Sequence, residues 1–300
     1  MKTLLSVLML LFTWDSAGAF QLSNNKWATS ETVFYVDIVT LAGESHAPSG
    51  SSWNEGFQNA MGKWNAKTQF RFLSQESFVD PCLDDEKNSV AFSLDACGTA
   101  FGSSTLAVTQ GRFKIPEHTF IETDIIFSGS HNWDIYSGPN QFDPIDFSRT
   151  ALHELGHALG LDHEEQILSI MRPKTDDLDS LQQDDIDGVT AIYGFLSPRF
   201  TLASGILHIP VVDVPGAGIF DVVMEQVEPT RFEFVLRSAN IRAISERAPI
   251  QYSHETATLD VPSIEVLLES GEVLFFRIEL GLIPNTHPLR FSLNKALQVN

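Results

Sequence analysis

The stretch HELGHALGLDH, His153 to His163, holds three of the chain's nine histidines and decides how the rest is read. On a helix, residues four apart share a face about 6 Å along the axis, so the rings of His153 and His157 can converge on one ion, with Glu154 one step round between them. A helix that simply continued would carry His163 about 9 Å beyond His157, too far for ligand bonds of about 2.1 Å. The helix must therefore stop. Gly160 predicts where, because glycine takes the left-handed conformation that ends helices and lets the chain bring His163 back toward the same ion. Asp146 or Ser148 is expected to cap the start.

Three neutral imidazoles with an open fourth position describe a catalytic zinc site, whereas structural zinc is usually closed by four protein ligands rich in cysteine. The two cysteines, Cys82 and Cys97, lie elsewhere. The expected chemistry is amide hydrolysis: the ion lowers the pKa of a water toward about 7 and polarises a carbonyl, while Glu154 takes the proton and hands it to the leaving amine. The bland alternative is a helix whose polar face carries histidines by chance. A glycine and a third histidine at the offsets the metal site requires weigh against it.

Composition bounds the remainder. At 300 residues, with 43% hydrophobic content and 22 phenylalanines, the chain can bury an ample core and is long enough for two domains. A formal charge of -20 and a pI near 4.7 disfavour nucleic acid and anionic membrane as partners, and favour cations such as calcium at acidic loops. The opening residues MKTLLSVLMLLFTWDSAGAF combine a lysine, an apolar run from Leu4 to Phe12 and a small-x-small site at Ala17–Ala19, the pattern of a secretory signal peptide over residues 1–19. That apolar run is too short to span a bilayer, and no later run is long enough. The expected product is a secreted protein beginning at Phe20, extracellular or periplasmic, in which Cys82 and Cys97 oxidise to a disulfide. Two buried free thiols are the other reading.

The chain changes character near YGFLSPRF, Tyr193 to Phe200. Before it, strand-like runs such as TVFYVDIV (Thr32 to Val39) and TDIIF (Thr123 to Phe127) mix with helical patterns, which predicts an α+β domain over 20–196. The clearest helix outside the opening stretch starts at Ser52, with Glu55 at capping-box spacing and Trp53, Phe57, Ala60, Met61 and Trp64 on one face, where they read as core. After Phe200 the pattern is β-rich and weakly repeated over 200–300. GILHIPVVDV from Gly205 resembles ATLDVPSIEV from Ala257, with Pro210 and Pro262 matched; FDVVM (Phe220) echoes FRIEL (Phe276), and FVLRSA echoes FSLNKA. Two copies of one β-unit, packed as a small sandwich or barrel, are expected.

With these motifs the chain resembles the metzincin metallopeptidases, and within them the matrixins, or matrix metalloproteinase-like family. SIMRP, Ser169 to Pro173, supplies Met171 where that group carries a methionine turn beneath the metal; QQDDIDGVTAIYG, KWATSETVFYVDI and the helix containing Trp64 are similar to matrixin segments, so the resemblance runs from about Lys26 to Gly194. It implies a mixed twisted sheet with an active-site helix and a closing helix. It implies one catalytic zinc held by His153, His157 and His163, with Glu154 as general base and Met171 as the floor. By the same resemblance STLAVT, Ser104 to Thr109, is the edge strand along which an extended protein or peptide substrate pairs, with Leu106 and Ala107 at its centre, and Pro173 begins the wall of the specificity pocket. The stretch CLDDEKNSVAFSLDAC is more similar to bacterial members than to vertebrate ones.

There are departures too. Vertebrate matrixins carry a second, structural zinc held by histidines near the edge strand; LAVT offers none, and His118 and His131 stand apart in sequence, so one zinc is expected. The family's Pro-x-Tyr wall reads here Pro173-Lys174-Thr175. The expected signal peptide runs almost directly into the catalytic domain, without a propeptide or cysteine switch, so the resemblance implies that a new amino terminus at Phe20 pairs with Asp184 or Asp185 of the closing helix. The molecule is expected to act as a monomer whose β-rich part binds a surface or polymer. A secreted adhesion protein on a metzincin scaffold is the competing reading, although pure binding gives no reason for a carboxylate at Glu154.

Overall fold

The computed structural model describes residues 20–228, 231–242 and 250–299, so the expected signal peptide lies outside the described residues. In the first half the chain runs β1 (Glu31–Val36), α1 (Trp53–Lys67), β2 (Arg71–Gln75), β3 (Asn88–Ser93), β4 (Asp95–Ala96), β5 (Thr99–Ala100), β6 (Ala107–Lys114), β7 (Thr119–Ser128), β8 (Trp133–Asp134), β9 (Ile145–Asp146), α2 (Phe147–Leu159) and α3 (Gln183–Tyr193). The main sheet has the order β2-β1-β3-β7-β6. Its first four strands are parallel, and β6 is antiparallel and forms one edge.

Parallel strands are covered on both faces, and β7 is buried along almost its whole length. Its polar residues are satisfied internally. Asn88 Oδ1 accepts from Thr123 N at 2.8 Å, and Asp124 Oδ1 accepts from Ser89 N at 2.9 Å and from Ser89 Oγ at 2.7 Å. The face of α1 formed by Trp53, Phe57, Ala60, Met61 and Trp64 is buried against this sheet and α2, and Trp64 Nε1 donates to Leu152 O at 3.0 Å. Ser52 is the N-cap residue of α1, yet the expected capping box is absent. A backbone bridge between His46 and Ser52 brings Ser45 O within 3.2 Å of Trp53 N, so the main chain supplies an acceptor at this helix start. Cys82 and Cys97 form a disulfide with Cα atoms 5.2 Å apart.

From Arg199 onward the described residues form strands alone: β10 (Arg199–Thr201), β11 (Ile206–Val214), β12 (Gly218–Glu228), β13 (Arg231–Arg242), β14 (Ile250–Ser253), β15 (Thr258–Leu267), β16 (Val273–Ile283) and β17 (Arg290–Val299). The two sequence repeats are two four-stranded meanders that close on each other. β13 joins β17 on one side, while β10 pairs in parallel with β15 and β14 with β11 on the other, which makes an eight-stranded barrel with a pseudo-two-fold axis. Matched prolines mark matched irregularities: β11 slips register against β12 between Ile209 and Val212, around Pro210, and β15 slips against β16 between Val261 and Ile264, around Pro262. Proline cannot donate to the ladder, so each repeat bends where it stands. The barrel has its own core, including Leu207, Ile209, Met224, Val261 and Leu280. A cavity of about 310 Å³ inside it is lined only by apolar residues, among them Phe200, Phe234, Phe276 and Leu293.

Candidate metal centre

Helix α2 starts at Asp146, whose side chain accepts from Ser148 N at 2.9 Å, so of the two expected caps it is Asp146 that serves. The helix ends at Gly160, which has φ +100° and whose N–H donates to His157 O at 2.9 Å. The left-handed turn sends the chain back past Leu161, and His163 arrives beside the other two rings. The three Nε2 atoms form a triangle with edges of 3.1 Å (His153–His157), 3.3 Å (His153–His163) and 3.3 Å (His157–His163). Zinc–nitrogen bonds of about 2.0–2.1 Å in a tetrahedral shell place ligand nitrogens about 3.3–3.4 Å apart, so the triangle has the size of one face of such a shell.

The outer nitrogens are held as those of metal ligands are. His153 Nδ1 lies 2.8 Å from Ile170 O and His157 Nδ1 lies 2.9 Å from Leu161 O. A carbonyl oxygen only accepts, so both Nδ1 atoms carry the proton and both Nε2 atoms present lone pairs to each other. Facing lone pairs repel unless a cation sits among them, and the donor set fits zinc. Burial holds His153 far below the usual histidine range, at about 3, and lowers His163 as well, with the neighbouring His157 ring disfavouring a proton on either. Neutral imidazole is the form that ligates.

Glu154 is buried beside the triangle, and its carboxyl is raised by that burial against the opposing pull of His157 and Thr109. Thr109 Oγ1 of β6 lies 2.7 Å from Glu154 Oε2. Met171 is 2% exposed and packs beneath α2: a Cβ on Gly156 would stand 2.2 Å from its sulfur. The turn carrying Met171 is clamped from α3. Asp185 lies 2.5 Å from Ser169 Oγ and accepts from Ile170 N at 3.1 Å and from Gln182 N at 2.7 Å. Asp185 therefore fixes the segment whose Ile170 carbonyl orients His153.

A cleft of about 430 Å³ runs along β6 past Ala107, Thr109 and Phe113 to Glu154, His157 and His163. Strand β6 starts at Ala107, later than the expected Ser104; Leu106 precedes it and accepts from Ser128 N at 2.8 Å. On the far side of His153 a narrow crevice is lined by Arg149, Arg172, Lys174 and Thr175, with Pro173 exposed between two of them. Phe20 lies against α3 near Gly188, in a crevice shared with Asp184 and Asp185. His118 pairs with Asn25 and His131 with Thr105 O, apart from the triad. Sequence reasoning missed the Thr109 hydroxyl, the two carbonyls that set the imidazole tautomers, and the Asp185 clamp.

The chain is similar to matrix metalloproteinase-16 of Homo sapiens, at 40% identity over 186 residues, which is 58% of this chain and 28% of that protein. It is 28% identical over 153 residues to metalloendoproteinase 4-MMP of Arabidopsis thaliana, covering 49% of this chain and 42% of that one. A shorter match, 50% identical over 56 residues, joins it to interstitial collagenase of Sus scrofa, over 18% of this chain and 12% of the collagenase. The chain thus spans less than half the length of each of these relatives. The matrixin family model matches residues 26–194, more than half of the chain and the whole of the histidine triad, Glu154 and Met171; the chain belongs to the matrixin family.

Proposed function

We propose that this chain is a secreted zinc-dependent endopeptidase. The observation that carries the reading is the convergence of three Nε2 atoms within 3.3 Å of one another, beside buried Glu154 and at the floor of a cleft bounded by an open strand edge. His153, His157 and His163 would hold the ion. Zinc in such a site supplies a lowered water pKa and a polarised carbonyl. The free edge of β6, beginning at Ala107 just after Leu106, takes an extended peptide by backbone pairing and lays its scissile carbonyl over the triad. Glu154 accepts one proton of the attacking water while the water's oxygen adds to the carbonyl carbon. When the C–N bond breaks, Glu154 passes that proton to the leaving nitrogen, and an acid and an amine depart. Met171 supports α2 from below and keeps the ligand pair in place.

The test uses casein or gelatin as substrate. The parent should cleave, lose cleavage to a chelator and regain it with zinc. Glu154→Gln should retain zinc by elemental analysis and lose about 10²–10⁴-fold in rate, whereas His157→Ala removes one of three ligands and should lose the metal itself. A His157→Ala protein with full zinc would refute the ligand set. A Glu154→Gln protein as fast as the parent would refute the base.

Export is part of the same proposal, supported by the signal-like pattern of residues 1–19 and by the Cys82–Cys97 disulfide, a bond suited to an oxidising compartment. Cleavage after Ala19 would leave the Phe20 ammonium beside Asp184 and Asp185, whose crevice Phe20 already shares. Acidic loops as calcium sites, monomeric action and a barrel that holds a surface or polymer complete the reading, the last supported by the barrel's apolar cavity.

A further inference from the structure

We propose that Thr109 is a positioning residue for Glu154: its hydroxyl holds Oε2 and thereby assigns the other oxygen, Oε1, to the proton transfer. The inference rests on the peptidase reading above and deepens it.

Glu154 follows His153 on α2, so its side chain leaves the helix about 100° round from that ligand and points toward β6. A glutamate has three rotatable torsions, and the ring nitrogens of the three ligand histidines bond to carbonyl oxygens or face one another rather than its carboxylate. Something must select one rotamer. Thr109 stands opposite, third in the edge strand and paired with Ile125 of β7 in the sheet interior, so its Cα position is fixed by the ladder. Its hydroxyl lies 2.7 Å from Glu154 Oε2 and 3.0 Å from Glu154 O, which ties it to both the carboxyl group and the main chain of one residue. A hydroxyl both donates and accepts. Its one proton can therefore go to Oε2 before proton transfer and stay there afterwards, when the transferred proton sits on Oε1 and Oε2 is the carbonyl oxygen of the acid. Threonine also suits the strand, where a β-branched side chain has little torsional freedom, so the hydroxyl direction is set by the backbone. Ala107, on the same face of β6, and Val108, on the other, carry no polar group that could take this role.

The experiment compares Thr109→Val, which keeps the shape and removes the hydroxyl, with Thr109→Ser, which keeps the hydroxyl and removes the methyl. Each is made in the full chain loaded with zinc. Thr109→Val should lower kcat by about 10–100-fold, the scale on which a misplaced catalytic group acts, with KM within about twofold of the parent and zinc content equal to it. Thr109→Ser should restore most of the lost kcat. In a Glu154→Gln background, Thr109→Val should add no further loss, because its effect travels through the carboxylate. The proposal is overturned if Thr109→Val turns over at the parental rate, if Thr109→Ser is as slow as Thr109→Val, if Thr109→Val releases zinc, or if the two losses multiply in the double variant. A zinc-loaded parent that cleaves no protein substrate overturns the peptidase reading itself, and this inference with it, before any substitution is made.

Discussion

Gly160→Ala isolates the step on which the metal site depends, the left-handed turn that ends α2. Gly160 has φ +100°, where an L side chain costs about 1–2 kcal/mol. A Cβ there would also stand 2.2 Å from Asn25 O, a backbone atom with no flexible end to swing away. The helix end and the N-terminal strap would have to separate by about 1 Å to reach ordinary contact. That strap is held by Ser23 N to Gly160 O at 2.9 Å and Asp162 N to Gln21 O at 2.8 Å, so the separation strains both bonds. Overpacking of this kind costs about 1–3 kcal/mol, and the two effects together predict a loss of about 2–5 kcal/mol. Gly43 is the control: it has φ +83° and nothing within 4 Å of the place a Cβ would take, so Gly43→Ala should cost only the conformational part. Urea unfolding followed by tryptophan emission reads the right domain, because Trp27, Trp53, Trp64 and Trp133 all precede Gly194 and the barrel has no tryptophan. Gly160→Ala should unfold at a clearly lower midpoint than Gly43→Ala and bind zinc more weakly, since His163 hangs from the displaced turn. Equal midpoints for the two variants would refute the account of why glycine stands there.

Burial raises Asp124 from 3.8 to about 8, with neighbouring Glu122 adding to the shift. Between those values the unfolded chain has released a proton that the native state keeps, so this residue makes stability fall as pH rises from about 4 to about 8. Asp124→Asn, which retains an acceptor for Ser89, should flatten the pH dependence of the urea midpoint in that window; an unchanged slope would count against the buried proton. Removing the Cys82–Cys97 bridge, with a sequence separation of 15, should cost about 3 kcal/mol by loop entropy. A Cys82→Ser, Cys97→Ser pair and the reduced parent should melt together, and a double variant as stable as the oxidised parent would contradict that reading.

What the sequence determined by itself was local and periodic. His153 and His157 share a face because the helical period is fixed, Gly160 must end the helix because only glycine enters that turn freely, and the Pro210 and Pro262 pair announced a repeated β-unit. The strand-like run TVFYVDIV and the apolar stripe from Trp53 to Trp64 likewise named a strand and a core helix. Tertiary structure decided whatever depends on partners distant in the chain. Thr109 meets Glu154 across 45 residues, and Asp185 reaches Ser169 across 16 to hold the turn whose carbonyl sets the tautomer of His153. Ser52 makes no side-chain cap bond, and the acceptor at Trp53 N comes instead from Ser45 O, seven residues before Ser52, through a backbone bridge. The barrel closes through β10 with β15 and β14 with β11, pairings between the two repeats. Backbone hydrogen-bonding groups are the same at every residue, so a strand's sequence states which face it buries but not which edge it joins; that choice is made only when the whole chain packs.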